Sequence, residues 1–273
     1  MKTGIIIPCY NEENRLDVTA FKNFISTNNA YHLCFVNDGS KDNTIDVLKD
    51  IQKTNPNKVS IVDVKVNAGK AAAVRAGAKY FYAKSTVKYI GFMDADLSTD
   101  FKDFENLVNT LSTSNSLSFV FGSRAKNASE GIKKDGVRAI ISKMINILIV
   151  FILGLSIADT QCGAKVFETN LVPLLFGRKF KTKWLFDVEM FIRIKRYFGK
   201  QKTLNMILEQ PLHRWVHMDD SKLGVKDSVE IPFRLLSIWF NYTLADSLFE
   251  STTENYLEPQ MRIIDVPENL MAA

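Results

Sequence analysis

Two aspartates one residue apart, Asp94 and Asp96, close an apolar segment of the sequence. Carboxylates at this spacing can coordinate a hard divalent cation such as Mg²⁺ or Mn²⁺, and the cation in turn binds phosphate oxygens. A leaving diphosphate needs such neutralisation while its bond breaks. The same spacing also occurs in ordinary turns, so the two residues alone leave metal binding and turn formation both open.

Other polar segments also follow apolar runs. Asp38, before a glycine, can accept hydrogen bonds from a base or a ribose, whereas Asp42 stands just before a predicted helix and suits capping. Lys70 opens an alanine-rich helix, where backbone N–H groups and a lysine can form an anion site. A surface lysine is the alternative interpretation of Lys70.

Later in the chain, three more residues are able to bind phosphate. Arg124 ends a fifth apolar run, and an arginine there can hold a phosphate through two hydrogen bonds. Arg138 and Ser142 lie four residues apart, and therefore on one face of a predicted helix. They indicate either a second phosphate site or a solvated charged face.

The elements that must position these residues alternate along the first 125 residues. Strands are predicted at 4–8, 32–37, 59–64, 89–93 and 117–122, and helices at 12–26, 43–53, 71–84 and 101–111. Strand–helix alternation with short connections predicts parallel strands in an α/β fold. Because ligands gather beyond the carboxyl ends of such strands, we expect the polar segments to converge on one edge of the sheet.

The second half of the chain is less regular. A helix is predicted at 135–155, a strand at 164–167, a helix at 186–197, a strand at 204–211 and an amphipathic helix at 231–245. From Asp246 onward the chain carries six acids against one base, so we expect a loosely held tail. The predicted organisation is one domain at 1–230, followed by the amphipathic helix and acidic tail at 231–273.

Composition narrows the class of protein. The 273 residues, 46% of them hydrophobic, suit one sizeable domain with a small appendage. A net charge of +5 does not indicate a nucleic-acid binder, although a modest basic surface can attract phosphates or anionic lipid headgroups. Cys9, Cys34 and Cys162 lie in or beside apolar runs, so we expect them to be reduced, buried and cytosolic.

A strongly apolar run lies within residues 139–158. It is interrupted by polar residues and is shorter than the roughly 20 apolar residues that span a bilayer. We therefore expect a buried or interfacial helix, rather than a spanning one, and a peripheral protein at the cytoplasmic face of a membrane. The N-terminus shows no signal-peptide pattern.

Five motifs, in order, resemble those of family 2 glycosyltransferases with the GT-A fold. They read PCYNEE at 8–13, NDGSxDxT at 37–44, NxGKxxAVR at 67–75, MDADLS at 93–98 and FGSR at 121–124. Two later motifs, DTQCGxKVF at 159–167 and WLFDVE at 184–189, resemble the dolichyl-phosphate β-glucosyltransferase branch, a relative of dolichol-phosphate mannose synthase. The resemblance implies a Rossmann-like, mostly parallel sheet flanked by helices, with a helical C-terminal extension.

The resemblance also implies a role for each matching residue. Binding of the nucleotide-sugar falls to Pro8, Tyr10, Glu12, Asp38, Lys70 and Asp94. Asp94 would contact the ribose or a metal-bound water, and Asp96 would bind Mg²⁺ or Mn²⁺. The acceptor phosphate falls to Arg124, Arg138 and Ser142, and a loop closing over the diphosphate carries Ser221 and Lys222. Two departures are the missing membrane-spanning segments of the branch and the acidic stretch at 217–220.

The role of Asp187 depends on whether the acceptor is a hydroxyl or a phosphate. Inverting transfer to a hydroxyl needs a general base, whereas a phosphate acceptor is already anionic and needs none. Asp187 is therefore a base, an orienter of the sugar hydroxyls, or a helix N-cap. We expect transfer of a hexose, favouring glucose from UDP-glucose, to a polyprenyl phosphate at a membrane surface. Alternatives are the same chemistry on a hydroxyl acceptor and, from another class, nucleotidyl transfer or non-catalytic nucleotide-sugar binding.

Overall fold

β-Strands and α-helices alternate from the N-terminus in the computed structural model, which describes residues 2–124, 136–214, 225–242 and 261–264, with the backbone alone at 136–144, 225–229 and 261–264. The strands are β1 Thr3–Cys9, β2 Tyr31–Asp38, β3 Val59–Val64, β4 Tyr89–Phe92, β5 Phe119–Ser123, β6 Lys165–Glu168, β7 Ile207–Pro211 and β8 Met261–Ile264. The helices are α1 Val18–Thr27, α2 Thr44–Thr54, α3 Lys70–Lys84, α4 Phe101–Thr113, α5 Gly136–Leu153, α6 Val172–Phe176, α7 Phe186–Phe198, α8 Lys200–Met206 and α9 Val225–Phe240.

Within the described residues the strands form one eight-stranded sheet in the order β7-β5-β6-β4-β1-β2-β3-β8. β1 pairs in parallel with β2 and β4, and β2 with β3, and β5 with β7. β6 runs antiparallel between β4 and β5, and β8 antiparallel beside β3. The predicted α/β fold with a mostly parallel sheet is confirmed, and the reversed β6 brings later residues to the carboxyl end of β4.

The sheet lies between two apolar clusters. Successive residues of β1 enter opposite clusters, Ile6 on one face and Ile5 and Ile7 on the other, as the two-residue period of a strand requires. Helices α3, α6 and α7 supply the cluster on the Ile6 face, and α1, α2 and α4 supply the other. All three cysteines are buried and form no disulfide bond, which agrees with the prediction that they are reduced and buried.

Three predicted boundaries are wrong. α1 begins at Val18, not residue 12, because Asp17 caps it by accepting the Ala20 amide at 2.9 Å. The strand predicted at 204–211 begins at Ile207, since the residues before it form α8. The helix predicted from 231 begins at Val225 and continues through Pro232.

Helix α5 packs against α7 and α9. Among the helices of the described part of the chain, none combines the length and the apolar character needed to cross a bilayer. Within the predicted tail, Met261–Ile264 pair with β3, while residues 243–260 and 265–273 lie outside the described residues. The predicted division at residue 230 falls inside α9 and stays a prediction.

Candidate active site

The loops that follow β1 and β2 are fastened together at the carboxyl edge of the sheet. The Asn11 amide donates to Ser40 Oγ at 3.0 Å, and Asn11 Oδ1 accepts the Lys41 amide at 2.8 Å. Asn11 has a φ of 52°, a left-handed conformation that asparagine tolerates better than most residues. The predicted convergence of strand ends is therefore seen in direct contacts between the loops.

Three predicted nucleotide-binding residues lie at or after the end of β1. Pro8 stands in register with Val36 of β2, and Tyr10 is half-buried in the loop that follows. Glu12 is buried, and its amide donates to Thr44 Oγ1 at 2.8 Å. The first loop is thus anchored to the start of α2.

Asp38, at the end of β2, is buried and shapes the loop that precedes α3. Its carboxylate accepts the amides of Ala68 and Gly69 at 2.9 and 2.7 Å and the side-chain amide of Asn67 at 3.0 Å. Burial raises the pKa of Asp38, although these hydrogen bonds and the charge of Lys183 act in the opposite direction. The sequence did not predict this structural use of the carboxylate.

Lys70, the first residue of α3, forms an ion pair with Asp94 just beyond β4. The two side chains keep 20% and 30% of their surface exposed. Burial acts to raise the pKa of Asp94, but the charges of Lys70 and Lys165 bring it below its ordinary value. Burial acts to lower the pKa of Lys70, but Asp94 and Asp187 raise it overall. Both partners are therefore charged at neutral pH.

Asp96 closes a tight turn. Its Oδ1 accepts the Ser98 amide at 2.9 Å, and the Leu97 amide donates to the Asp94 carbonyl at 3.3 Å. Leu97 has a φ of 53°, which residues other than glycine, asparagine and aspartate rarely adopt. Backbone strain of this kind concentrates at functional sites, where the surrounding structure maintains it.

The loop at 159–164 packs against Asp94. Because β6 is antiparallel to β4, its first residue, Lys165, pairs with Phe92 at the carboxyl end of β4. A Cβ atom added at Gly163 would collide with the Asp94 carboxylate. Any side chain at this position would therefore force the Asp94 carboxylate to move.

The guanidinium of Arg124 is engaged by Asp159. Its Nε lies 2.7 Å from Asp159 Oδ2 and its Nη2 lies 2.8 Å from Oδ1, a two-pronged pair. Burial acts to raise the pKa of Asp159, but Arg124 lowers it below the ordinary range. The Asp159 amide in turn donates to Glu209 at 2.7 Å. The fork that the sequence assigns to a phosphate is thus held by a carboxylate, with 34% of the arginine side chain exposed.

Asp187 is the second residue of α7 and forms an ion pair with Lys165. The distance from Lys165 Nζ to Asp187 Oδ1 is 2.7 Å, and both side chains are buried. The N-cap position of α7 is Leu185, so the capping interpretation of Asp187 does not describe this structure. Burial raises the pKa of Asp187, although Lys165 and Lys70 oppose the rise.

The predicted residues divide into two groups. The charges of Lys70, Asp94 and Asp187 act on one another, and that of Arg124 acts on Asp94, so the structure brings these four together. Pro8, Tyr10, Glu12, Asp38 and Asp96 are also described, at or after the ends of β1, β2 and β4. The side chains of Arg138 and Ser142 on α5, and the whole of Ser221 and Lys222, lie outside the described residues.

Sequence reasoning missed three residues of the site, Lys165, Asp159 and Gly163. All three belong to the motif at 159–167, whose resemblance to known enzymes was the available signal. Their residue types alone predict nothing, because a lysine, an aspartate and a glycine near a strand are common. The reversal of β6 is what places them beside Asp94.

Asp94 and Asp96 fit a hard divalent cation by the chemistry of their donors. Mg²⁺ is commonly bound by one or two carboxylates together with phosphate oxygens of a substrate. Among the residues that the structure describes, no group of three or more His, Cys, Asp or Glu side chains is arranged to hold an ion.

Residues 4–173 match the family model described as glycosyl transferase family 2. The chain belongs to family 2 of the glycosyltransferases. It is accordingly a hexosyltransferase that depends on a nucleotide-sugar, and the resemblance recognised in its motifs is confirmed.

Among curated relatives of this family 2 chain, the dolichyl-phosphate β-glucosyltransferase of Dictyostelium discoideum is 31% identical over 258 residues, covering 86% of this chain and 76% of the relative. The enzyme of the same name from Saccharomyces cerevisiae is 32% identical, covering 88% of this chain and 75% of the relative. These relatives agree with the narrower resemblance of the motifs at 159–167 and 184–189.

Solved structures show the same fold. Glucosyl-3-phosphoglycerate synthase of Mycobacterium tuberculosis, in complex with Mn²⁺, UDP and phosphoglyceric acid, superposes with a TM-score of 0.64 at 16% identity, covering 88% of this chain and 78% of that one. The GT-A architecture predicted from the motifs is thus confirmed.

Proposed function

We propose that this family 2 glycosyltransferase moves glucose from UDP-glucose to a polyprenyl phosphate at a membrane surface, with inversion at the anomeric carbon. The observation that carries the proposal is similarity across 86% of the chain to a dolichyl-phosphate β-glucosyltransferase. Support for the donor comes from the fold relative crystallised with Mn²⁺ and UDP-glucose. The paired charges at the carboxyl edge of the sheet are those that a diphosphate leaving group requires.

On this proposal the donor lies along the ends of β1, β2 and β4. Its nucleoside is held by Pro8, Tyr10, Glu12 and Asp38, and its diphosphate lies near Lys70, Asp94 and Asp96. Mg²⁺ or Mn²⁺ bound at Asp96, with Asp94 beside it, would neutralise charge on the departing diphosphate. Because Lys70 keeps a fifth of its side chain exposed, its ammonium can turn from Asp94 toward a bound anion.

We assign the acceptor phosphate to Arg124, with Arg138 and Ser142, and we assign contact with the diphosphate to Ser221 and Lys222 from the motif resemblance. Arg124 has five N–H donors. Asp159 accepts from Nε and Nη2 of that group, which orients the guanidinium while about a third of the side chain faces solvent. Asp159 is thereby a positioning residue for the proposed phosphate contact.

The proposed transfer is a direct displacement. A phosphate oxygen of the acceptor forms a bond to the anomeric carbon, the bond from that carbon to the diphosphate oxygen breaks, and UDP leaves with the electron pair. The acceptor oxygen carries no proton at neutral pH, so no general base is needed. Asp187, held in one place by Lys165, serves to orient a sugar hydroxyl.

The surface formed by α5 and α9 suits a lipid acceptor. Each helix buries one apolar face, through residues such as Ile149 and Leu235, yet also exposes large apolar side chains. The exposed ones are Ile147, Val150 and Phe151 on α5 and Phe233, Leu236, Trp239 and Phe240 on α9. Exposed apolar side chains grouped on adjacent helices are typical of interfaces and membrane-facing surfaces.

We further propose a peripheral location on the cytoplasmic membrane face. Three buried cysteines that form no disulfide bond agree with a reducing compartment. A basic balance of +5 favours approach to an anionic surface.

A second candidate is transfer to a hydroxyl, with Asp187 as general base. The observation that favours it is the raised pKa of Asp187, which arises from burial and makes the carboxylate a stronger base. Alanine at Asp187 separates the two candidates, because a base is indispensable for a hydroxyl acceptor. A loss of about 10³-fold or more with a polyprenyl phosphate would support the base mechanism and count against the first proposal.

The direct test is a donor screen with Mn²⁺, measuring release of UDP or GDP with and without a polyprenyl phosphate. We expect UDP release from UDP-glucose that depends on the lipid phosphate. Release from GDP-mannose instead would change the donor, and release stimulated by a saccharide but not by the lipid would change the acceptor. Binding of UDP-glucose without turnover on any acceptor would contradict an enzymatic role.

A matched set of variants tests the membrane surface by sedimentation with anionic vesicles. The variants Phe151→Glu and Phe233→Glu remove apolar area from α5 and α9. The two phenylalanines are 76% and 71% exposed. The control is Tyr82→Glu on α3, a further exposed aromatic at 45%. Each of the first two should weaken vesicle binding about tenfold or more. Equal weakening by the control would show that added negative charge, not this surface, is responsible.

A further inference from the structure

Lys165 has a side chain with no exposed surface. A buried ammonium is unfavourable unless it is paired and hydrogen-bonded, so its partners indicate its use. Its Nζ lies 2.7 Å from Asp187 Oδ1, donates to the Cys162 carbonyl at 2.5 Å and lies 5.5 Å from the centre of the Phe92 ring. None of the donor or acceptor roles assigned above uses this lysine directly.

These contacts join the two sides of the site. Asp187 lies in the first turn of α7, and Cys162 precedes Gly163, whose backbone packs against the Asp94 carboxylate. Lys165 therefore fixes Asp187 by direct contact and fixes the backbone beside Asp94 through the Cys162 carbonyl.

Asp187 presents an electrostatic obstacle to the proposed acceptor. The phosphate must approach the anomeric carbon of a sugar whose diphosphate lies at Asp94 and Asp96. Asp187 contacts Lys165, which pairs with Phe92 at the end of β4 just before Asp94, so it lies close to that sugar. A carboxylate near an incoming anion weakens its binding unless a cation compensates. Lys70 already pairs with Asp94, and Lys165 is the cation in contact with Asp187.

We infer that Lys165 is a positioning residue that neutralises Asp187 and thereby admits an anionic acceptor, a phosphate monoester, to the site. The inference rests on the proposed function and adds a residue to it. Lys165 touches neither substrate. It acts through Asp187, by cancelling its charge and by holding the carboxylate in one orientation.

Direct binding of a short-chain polyprenyl phosphate to the full chain, measured by calorimetry with UDP and Mn²⁺ present, tests the inference. Lys165→Met removes the ammonium and keeps much of the side-chain length. We expect acceptor affinity to fall about tenfold to a hundredfold, because Asp187 is left uncompensated. Affinity for UDP with Mn²⁺, measured on the same samples, should fall clearly less than acceptor affinity, because Lys70 stays paired with Asp94.

Two further variants separate charge compensation from a purely structural role. Asp187→Asn alone leaves Lys165 uncompensated, so it should bind the acceptor at least as tightly as the wild type. The double variant Lys165→Met/Asp187→Asn removes both charges and should return acceptor affinity to within about threefold of the wild type. Because the double variant buries no unpaired charge, it keeps the test valid if Lys165→Met does not fold.

Acceptor affinity in the double variant as weak as in Lys165→Met would overturn the inference, as would equal weakening by both single variants. The proposed function fails in a different way. If the wild-type protein binds no polyprenyl phosphate, the function is wrong and the inference falls with it. If the wild type binds it and affinity does not follow the charges of the variants, the inference alone is wrong.

Discussion

Two acid–lysine pairs lie at the carboxyl edge of the sheet, and they differ in access. The Lys70–Asp94 pair keeps 20% and 30% of its side-chain surface exposed, whereas the Lys165–Asp187 pair keeps 0% and 7%. The pKa values differ in direction as well. Burial raises the pKa of Asp187, whereas at Asp94 the neighbouring cations overcome burial and lower it.

The difference indicates two uses of the same chemistry. The outer pair, Lys70–Asp94, is accessible, so a ligand can exchange with either partner. The inner pair, Lys165–Asp187, is enclosed by β6 and α7, so its geometry is fixed before any ligand binds. An exchangeable pair suits a charged donor, and a fixed pair suits orientation of a substrate.

Stability should separate the two pairs most strongly. Lys165→Met leaves Asp187 buried without its partner and should lower the free energy of unfolding by about 3–5 kcal/mol. Lys70→Met should lower it by about 1 kcal/mol or less, because water can solvate Asp94. Urea unfolding followed by circular dichroism measures both. Equal losses would contradict the distinction between a fixed and an exchangeable pair.

The Lys70–Asp94 pair should matter more for turnover than for stability. Lys70→Met should reduce kcat/KM for the nucleotide-sugar about 10²- to 10³-fold while the fold persists, because a cation aimed at the diphosphate is lost. UDP release under varied donor concentration measures the effect. Lys53→Met, at an exposed position in the last turn of α2, is the control and should be silent. Unchanged kinetics in Lys70→Met would remove this lysine from the donor site.

Adding one methyl group at Gly163 should displace the Asp94 carboxylate of the outer pair. Gly163→Ala forces the Asp94 carboxylate to move, since the new Cβ would occupy its place. We expect turnover to fall about tenfold to a hundredfold, because displacements of about 1 Å at a reacting centre have effects of this size. Donor kinetics of the variant beside Asp94→Asn provide the check. Full activity would mean that the position of Asp94 is unimportant.

The positions of Asp94 and Lys70 at one edge of the sheet were predictable from sequence, although their ion pair was not predicted, and the contact between Lys165 and Asp187 was not predictable. Asp94 and Lys70 each follow a recognisable strand in an alternating pattern, and the ends of parallel strands share one edge. Lys165 and Asp187 are joined only because β6 reverses direction and carries Lys165 to that edge. Hydrophobic periodicity does not encode strand direction, so local pattern could not pair them.

Local sequence pattern also could not predict the partner of Arg124. Its position after β5 was predicted, but its partner Asp159 lies 35 residues away, across α5. A charged side chain near a site is readily interpreted as a substrate contact, whereas the fold can use it first to satisfy another buried charge. The predicted start of α1 at residue 12 was wrong for a simpler reason. Asp17 caps this helix, so it begins at Val18.

The smallest expected effect concerns pH and the inner pair. Because burial raises the pKa of Asp187, the ionised fraction falls at a higher pH than for an ordinary aspartate, near 3.9. If ionised Asp187 orients the sugar, turnover should decline about tenfold on the acid side at a pH above that value. Asp187→Asn should abolish this limb and start from a lower plateau.

Protonation of Asp187 does not destabilise the fold, so unfolding coupled to this group cannot cause the acid limb. A carboxyl group whose pKa is raised in the folded state favours the fold below its unfolded pKa and loses that contribution as pH rises through the folded pKa. Protonation of Asp187 therefore stabilises the protein while it lowers activity. Unfolding free energies measured at the same pH values should show no loss that follows the acid limb. If the limb persists unchanged in Asp187→Asn, the titrating group is another one, and the inner pair does not control turnover.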